Sequence, residues 1–597
     1  KKHFLILALI LLVAAFLRFY ALNEYPPGLY PDEAVNATDA LRALKEGDLK
    51  VYYSNNNGRE GLFINLLAVF FSLFGASILV LRLVPALIGF FTVLSSYFLG
   101  KTLINRKFGL IFSAFFAVSY WHLNFSRIGF RAILMPLILN LTFIFLFKGI
   151  KNLNLNWECF QKLKSAFSKE KTFKNFLSQL KIYFNESKCF HFILAGLIYG
   201  MGFYTYIAYR ISPVIILTFF FFVFISVFRE KQKQEKLFFK NSITSFKQLF
   251  APTVLFVLSA LLSSSFILYF FISQPDSLAS RQNDNSISVF DPNNNQGNLI
   301  LTVGKTFLIT LGQFYVKGDQ NWRHNLPSQT VINPIEAVFF TFGLLISMFI
   351  FAVLVLNLFK LRFKNKYLGF IYKLEDKGRV LILLSTFIVW FFIMLSPAFL
   401  TVEGLPHALR SLGSINALYF FASLSVYYLL SIKYQSQKYK VVNYFNKVNK
   451  VFVTVVFIFS FFLTGFSYFV VWGKSLEAMH AFEKRLVNIG RYLKENDNTQ
   501  LIRYVVVNLD SKKINTGYPV SLETIRFLNF DNQYKPVYLL PEDLYNKNKF
   551  DPKSTFEIIL QKPDPELVQY LKGQYGLKEQ RINYTNQYDG TDFIVLR

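Results

Sequence analysis

Two adjacent carboxylates, Asp32 and Glu33 in the stretch LYPDEAVNA, follow the first long apolar run of the chain. Further polar blocks stand at the ends of later apolar runs: NNNGRE at 55–60, WHLNFSRIGFR at 121–131, YTYIAYR at 204–210, QFYVKGDQNWRHNLP at 313–327 and EGLPHALR at 403–410. A positioned carboxylate can take or hold a proton. An arginine presents a planar fork that matches phosphate oxygens, whereas a lysine is a point charge. Arg18, Arg127, Arg131 and Arg210 lie at or just inside the ends of apolar runs. A charge there is costly in hydrocarbon and normally faces a wet cavity or a partner. Together the blocks read as a pocket with acids on one wall and phosphate-binding groups on another. Plainer readings stand beside this one. Pro31 followed by two acids suits a helix N-terminus and its dipole. Arg127 and Arg131 can snorkel as interfacial anchors, and YTYIAY suits an aromatic belt.

The elements that must position these groups are membrane helices. The 597 residues are 53% hydrophobic and include 72 Phe, a profile foreign to soluble globular proteins. Apolar runs long enough to cross a bilayer occur at 3–22, 79–100, 108–126, 132–149, 191–208, 211–228, 250–272, 336–359, 380–399, 411–432 and 451–472. The first is expected to be an anchored helix, since no small-residue cleavage site follows it. The run Leu62–Phe74 is too short for a comfortable crossing and is expected to lie at the interface or re-enter. After residue 472 the pattern changes. LIRYVVVNLD, KPVYLL and FEIILQ read as strands, and residues 475–496 and 564–576 as helices. Asp589-Gly590 would turn a terminal hairpin. The expected domains are therefore 1–472, polytopic, and 473–597, α/β.

Basic residues set the sidedness. With eleven crossings and Leu62–Phe74 not spanning, the loops on one side carry 30 Lys or Arg and those on the other, up to residue 410, carry 12. The richer side is the cytoplasmic one by the positive-inside rule. This explains the net charge of +28 without nucleic acid, for which no motif is present. Asp32, Glu33, the other polar blocks and the tail all fall on the outer side. Of the 12 bases in these outer loops eight are Arg, against four of the 30 in the inner loops, as phosphate binding outside would require. The two cysteines, Cys159 and Cys189, fall in one basic loop expected inside and imply no disulfide framework or Cys-based metal site. His122, His324 and His407 lie near the outer face, but their spacing has no metal-ligand signature.

The DE pair after the first span, the following short helix, RLVPALIGFFTVLSSYFLGKTL, RKFG and SRIGFRA resemble the polyprenyl-phosphate-sugar-dependent glycosyltransferases of the GT-C type. The resemblance is closest to family 39 members related to protein O-mannosyltransferases and to the aminoarabinose transferase of lipid A. It covers residues 1 to about 210. GDQNWRHNLP and PHALRSLG look like blocks of bacterial members of the same group. The resemblance implies an all-α GT-C membrane fold with interfacial helices in the first outer loop and an extracytoplasmic α/β tail, in a bacterial plasma membrane. It implies transfer of a hexosyl or pentosyl group from a polyprenyl phosphate to a hydroxyl of a glycan, lipid or protein acceptor. Asp32 holds the place of the base, with Glu33 orienting the acceptor or Asp32 itself. Arg59, Arg127, Arg131 and then Arg210 are the candidates for the donor phosphate. Glu60, Asp319, His324, His407 and Arg410 are candidates for the acceptor side or for support. The donor's apolar tail would lie among membrane lipid in a groove beside the 62–74 helix. No cofactor is called for, though a divalent metal can be accommodated. There is no Gly-rich phosphate loop. A transporter or flippase of lipid-linked sugars is the competing class, but such proteins carry internal repeats and midplane helix breaks. No repeat is found, and the polar groups gather at one face. An oligosaccharide ligase using lipid diphosphates is the neighbouring chemistry.

Overall fold

The computed structural model describes residues 2–150, 189–234, 238–279, 287–359, 376–431, 439–497, 501–509, 513–514, 517–545, 549–551, 554–584 and 592–597. Among the described residues nine helices are long and apolar enough to cross a membrane, and the chain is a multi-pass membrane protein. They coincide with nine of the eleven expected spans. The other two are shorter. The run expected at 108–126 forms α5 (Arg106–Val118) and α6 (Tyr120–Phe125). Ser119 breaks the path between them with extended backbone (φ −64°, ψ 120°), and its hydroxyl accepts the His122 amide of the new helix. The run expected at 191–208 forms Cys189–Met201 and then two 3-10 turns, Gly202–Tyr204 and Ile207–Ile211. Both breaks bring polar backbone and the blocks at 121–131 and 204–210 to the same end of the molecule as the first loop. A short apolar helix, Leu299–Gly312, was not anticipated.

The first loop is built on α2 (Pro31–Glu46), between α1 (Lys2–Phe19) and α3 (Leu62–Phe74). Pro31 sits in the opening turn, where a missing N–H costs nothing, and Asp32 and Glu33 meet the positive end of the helix dipole. Gly47 ends the helix in the left-handed region at φ 68°. Ala34, Ala37 and Ala40 are fully buried, so α2 packs closely against its neighbours. The two-residue strands β1 (Tyr52–Tyr53) and β2 (Arg59–Glu60) pair antiparallel and return the chain to α3. At 13 residues α3 is about 20 Å long, short of the roughly 30 Å hydrocarbon layer.

The tail holds a five-stranded sheet of β3 (Ile502–Val506), β4 (Val537–Leu539), β5 (Phe556–Leu560), β6 (Glu579–Ile582) and β7 (Phe593–Leu596), in the order β4-β3-β5-β7-β6. β3 runs parallel to β4 and β5; β7 runs antiparallel to β5 and β6. The expected turn at Asp589-Gly590 and the basic stretch 151–188 lie outside the described residues. The helix expected over 475–496 is two, Leu476–Ala481 and Lys484–Glu495, parted at Glu483 (φ 49°). The tail sits directly on the first loop. The Thr524 hydroxyl donates to the Leu29 carbonyl at 3.1 Å, and the Phe71 and Phe527 rings stack at 5.7 Å. A Cβ placed on Gly28 would clash with the Phe482 carbonyl oxygen, so only glycine permits this approach.

Candidate active site

Buried arginines hold the frame of the site. The Arg127 guanidinium donates to the carbonyls of Leu17, Arg18, Tyr20, Ala21 and Tyr25 at 2.7–3.2 Å, satisfying orphan groups where α1 ends. Arg18 does the same for Phe116 and Ala117 at the end of α5 and reaches His122 Nδ1 at 2.9 Å. Arg82, on α4 (Ile78–Leu103), donates to the carbonyls of Pro26 and Gly28. Glu33 turns inward from α2: one carboxylate oxygen accepts the Gly129 amide at 2.7 Å and the other the Tyr30 amide at 3.3 Å. Burial pushes its carboxyl above the usual range, against the pull of Arg82 and the two amides. Glu33 therefore ties α2 to the 126–130 loop, and Asp32 beside it is left facing outward.

Asp32 faces a cavity of about 980 Å³ whose wall also includes Tyr30, Asn36, Asn56, Arg59, Arg131 and Arg210, and, from the later loops, Asp319, Arg323, His324, Glu403, His407 and Arg410. The charges on this wall are mostly balanced. Arg59 pairs with Asp39 and donates to Asn36 Oδ1 at 2.7 Å. Glu60, just behind the wall, holds Arg131 and Arg210, each at 3.0 Å. Arg410 holds Glu403 at 2.8 Å. Two groups differ. Asp32 accepts a hydrogen bond from Asn56 Nδ2 at 2.8 Å. The Arg323 guanidinium lies 4.0 Å over the Tyr30 ring and donates from Nε to Asn321 Oδ1 at 2.9 Å. Among the described residues neither has an ion-pairing group, histidine included, within 4.0 Å. Tyr30, whose electrostatic neighbours include both, is pushed up to about 12, by burial first and then by Asp32. It stays a neutral phenol.

Asp319 organises the far loops. Its Oδ1 accepts the Asn321 amide at 2.8 Å, and its Oδ2 accepts the Ala408 amide at 2.8 Å and stands 2.9 Å from His324 Nδ1. His407 Nδ1 is 3.8 Å from the same oxygen, and the two imidazole rings lie 4.8 Å apart. These three side chains form the group that could hold a metal ion among the described residues. Burial, with His324, Arg410 and Arg323 nearby, keeps the His407 imidazole neutral, well below its usual range.

The structure thus brings Asp32, Arg59, Arg131, Arg210, Asp319, His324, His407 and Arg410 to one cavity, with Glu60 immediately behind. Glu33 and Arg127 lie away from that wall, engaged with backbone. Sequence reasoning passed over Arg323, Tyr30 and Asn56 as site residues. The signal for Arg323 was its place between Trp322 and His324 in the NWRHNLP block.

No family model and no curated protein matches the chain. Among solved structures it is similar to ArnT from Cupriavidus metallidurans, in the apo state (11% identity, TM-score 0.47) and bound to undecaprenyl phosphate (10%, 0.45), each over 99% of this chain and 97% of that one. It is also similar to the oligosaccharyltransferase AglB from Archaeoglobus fulgidus in complex with an inhibitory peptide and a dolichol-phosphate (12%, 0.43), over 85% of this chain. The chain spans 62% of the length of that archaeal protein.

Proposed function

We propose that the chain is an integral membrane glycosyltransferase that moves a sugar from a polyprenyl-phosphate donor to an acceptor hydroxyl on the outer side of the membrane. The observation that carries the reading is a pair of charges on one cavity wall, the carboxylate of Asp32 and the guanidinium of Arg323, that have no ion-pair partner within 4.0 Å among the described residues. Asp32 takes the proton of the acceptor hydroxyl as its oxygen attacks the anomeric carbon. The bond from that carbon to the phosphate oxygen breaks, and the phosphate leaves with added negative charge. Arg323 meets that charge in a fixed, partly desolvated position. Asn56 aims Asp32, as Asn321 and the Tyr30 face aim Arg323. Arg59, Arg131 and Arg210 already pair with Asp39 and Glu60, so they offer the donor further N–H groups; because the one Glu60 carboxylate serves two guanidiniums, they also keep a net positive charge beside it. The excess of basic residues in the opposite loops supports the outer placement of this cavity.

The test is Asp32→Asn. Transfer from radiolabelled polyprenyl-phosphate sugars should be abolished while the variant stays in the membrane and elutes as the parent does in detergent. A variant with full activity rules out Asp32 as the base.

A further inference from the structure

The group formed by Asp319, His324 and His407 has no function in the transfer described above. It joins two loops that are distant in sequence, at 313–331 and 400–411, and all three side chains line the cavity. We propose that it is a binding site for one divalent zinc-type ion, held by Asp319 Oδ2, His324 Nδ1 and His407 Nδ1, with a fourth position open to the cavity.

Geometry is the first argument. Zinc takes imidazole nitrogen and carboxylate oxygen at about 2.0–2.2 Å in tetrahedral array. Two ligand atoms of such a site stand about 3.3 Å apart on that geometry. The observed separations from Asp319 Oδ2, 2.9 Å to His324 and 3.8 Å to His407, fall on either side of this value. The ligand atoms of all three lie within 4.8 Å of one another.

The supporting shell is the second argument. Both oxygens of Asp319 are held by backbone amides, Asn321 on Oδ1 and Ala408 on Oδ2. Such bonds fix a ligand's direction and leave an oxygen lone pair available. The Arg410 amide reaches His407 Nδ1 only at 3.4 Å, a long contact that a metal bond would outweigh. Without an ion, the same arrangement leaves His407 Nδ1 3.8 Å from the carboxylate, beyond hydrogen-bond reach, and two imidazoles crowded on one buried oxygen. A carboxylate with two imidazoles suits zinc and its first-row neighbours better than calcium or magnesium, which prefer all-oxygen shells. The bound ion would pin the 313–331 loop, and with it Arg323, to the 400–411 loop. Its open position would take water or another oxygen ligand.

The test is metal content, so it succeeds or fails independently of the glycosyltransferase reading. The full chain, purified in detergent without a polyhistidine tag, is incubated with zinc, passed over a chelating column and analysed by elemental mass spectrometry. About one zinc per chain is expected. Asp319→Asn, His324→Ala and His407→Ala should each lose it, and His480→Ala, an exposed histidine on the tail, should keep it. Cobalt loading gives a second readout: intense visible d–d bands of a four-coordinate site in the parent and none in His324→Ala. If the parent retains no more zinc than the Asp319→Asn variant, and shows no cobalt bands, the site does not exist. If a ligand variant fails to fold, the cobalt spectrum of the parent alone decides, because a six-coordinate or absent spectrum contradicts the proposed N2O set.

Discussion

Replacing Arg323 by Gln separates the charge balance of the cavity from its shape. Gln keeps length and some donor capacity but removes a positive charge that has no carboxylate within 4.0 Å among the described residues, Glu483 being its more distant electrostatic neighbour. A full charge 4 Å from a phosphate is worth about 4 kcal/mol at an effective dielectric constant near 20. Desolvation consumes part of this, and a hydrogen bond to a charged group nets about 1.5–3 kcal/mol. At about 1.36 kcal/mol per decade, kcat/KM for the lipid-phosphate donor should fall roughly 10- to 150-fold. Much of the loss should appear in kcat, because charge on the leaving phosphate grows towards the transition state. KM for the acceptor should hold. Arg323→Lys restores charge but neither the fork nor the flat stack on Tyr30, so it should recover only part of the loss. Tyr30→Phe keeps the ring face and should cost far less than either. The assay is initial-rate transfer with the donor varied at saturating acceptor, in detergent or proteoliposomes. An Arg323→Gln enzyme with donor kcat/KM within about twofold of the parent would refute the assignment of the phosphate to this residue.

Arg127 should behave in the opposite way. Arg127→Met strands carbonyls at the end of α1, each unsatisfied group costing about 1–3 kcal/mol, so the expected result is loss of the monodisperse detergent-solubilised peak before any kinetic effect can be read. Gly28→Ala forces a Cβ against the Phe482 carbonyl and should cost about 1–3 kcal/mol, visible as faster limited proteolysis between the membrane helices and the tail. Glu33 gives a pH signature. Its folded-state pKa is raised, so the stability it contributes is full below the ordinary carboxylate value and is lost as pH rises through the folded value. Thermal unfolding of Glu33→Gln against the parent should therefore shift in favour of the variant as pH climbs from about 4 to 8; a difference constant with pH would show that Glu33 is not held in this way.

Hydropathy announced most of the membrane helices, because long apolar stretches have few other uses. It could not distinguish a continuous helix from one broken at Ser119 or after Met201, since both breaks keep their neighbours apolar. Yet the breaks shape the site: at Ser119, Arg18 caps the freed Phe116 and Ala117 carbonyls, and the break after Met201 carries Arg210 to the cavity wall. The same limit governs the charges. Arg59, Arg127, Arg131 and Arg210 look alike along the chain, but their partners come from remote positions. Glu60 meets Arg210 across 150 residues, and Arg127 serves carbonyls more than 100 residues away. A guanidinium's role is fixed by what already neutralises it, and only the folded chain supplies that information. Arg323 stands out for this reason. It was one of eight arginines in the loops read as outer, and the fold alone shows that the others lining the cavity already have carboxylate partners. Among described residues, a binding site for an anion is therefore better sought at a guanidinium with no carboxylate within 4.0 Å than by the crowding of arginines alone.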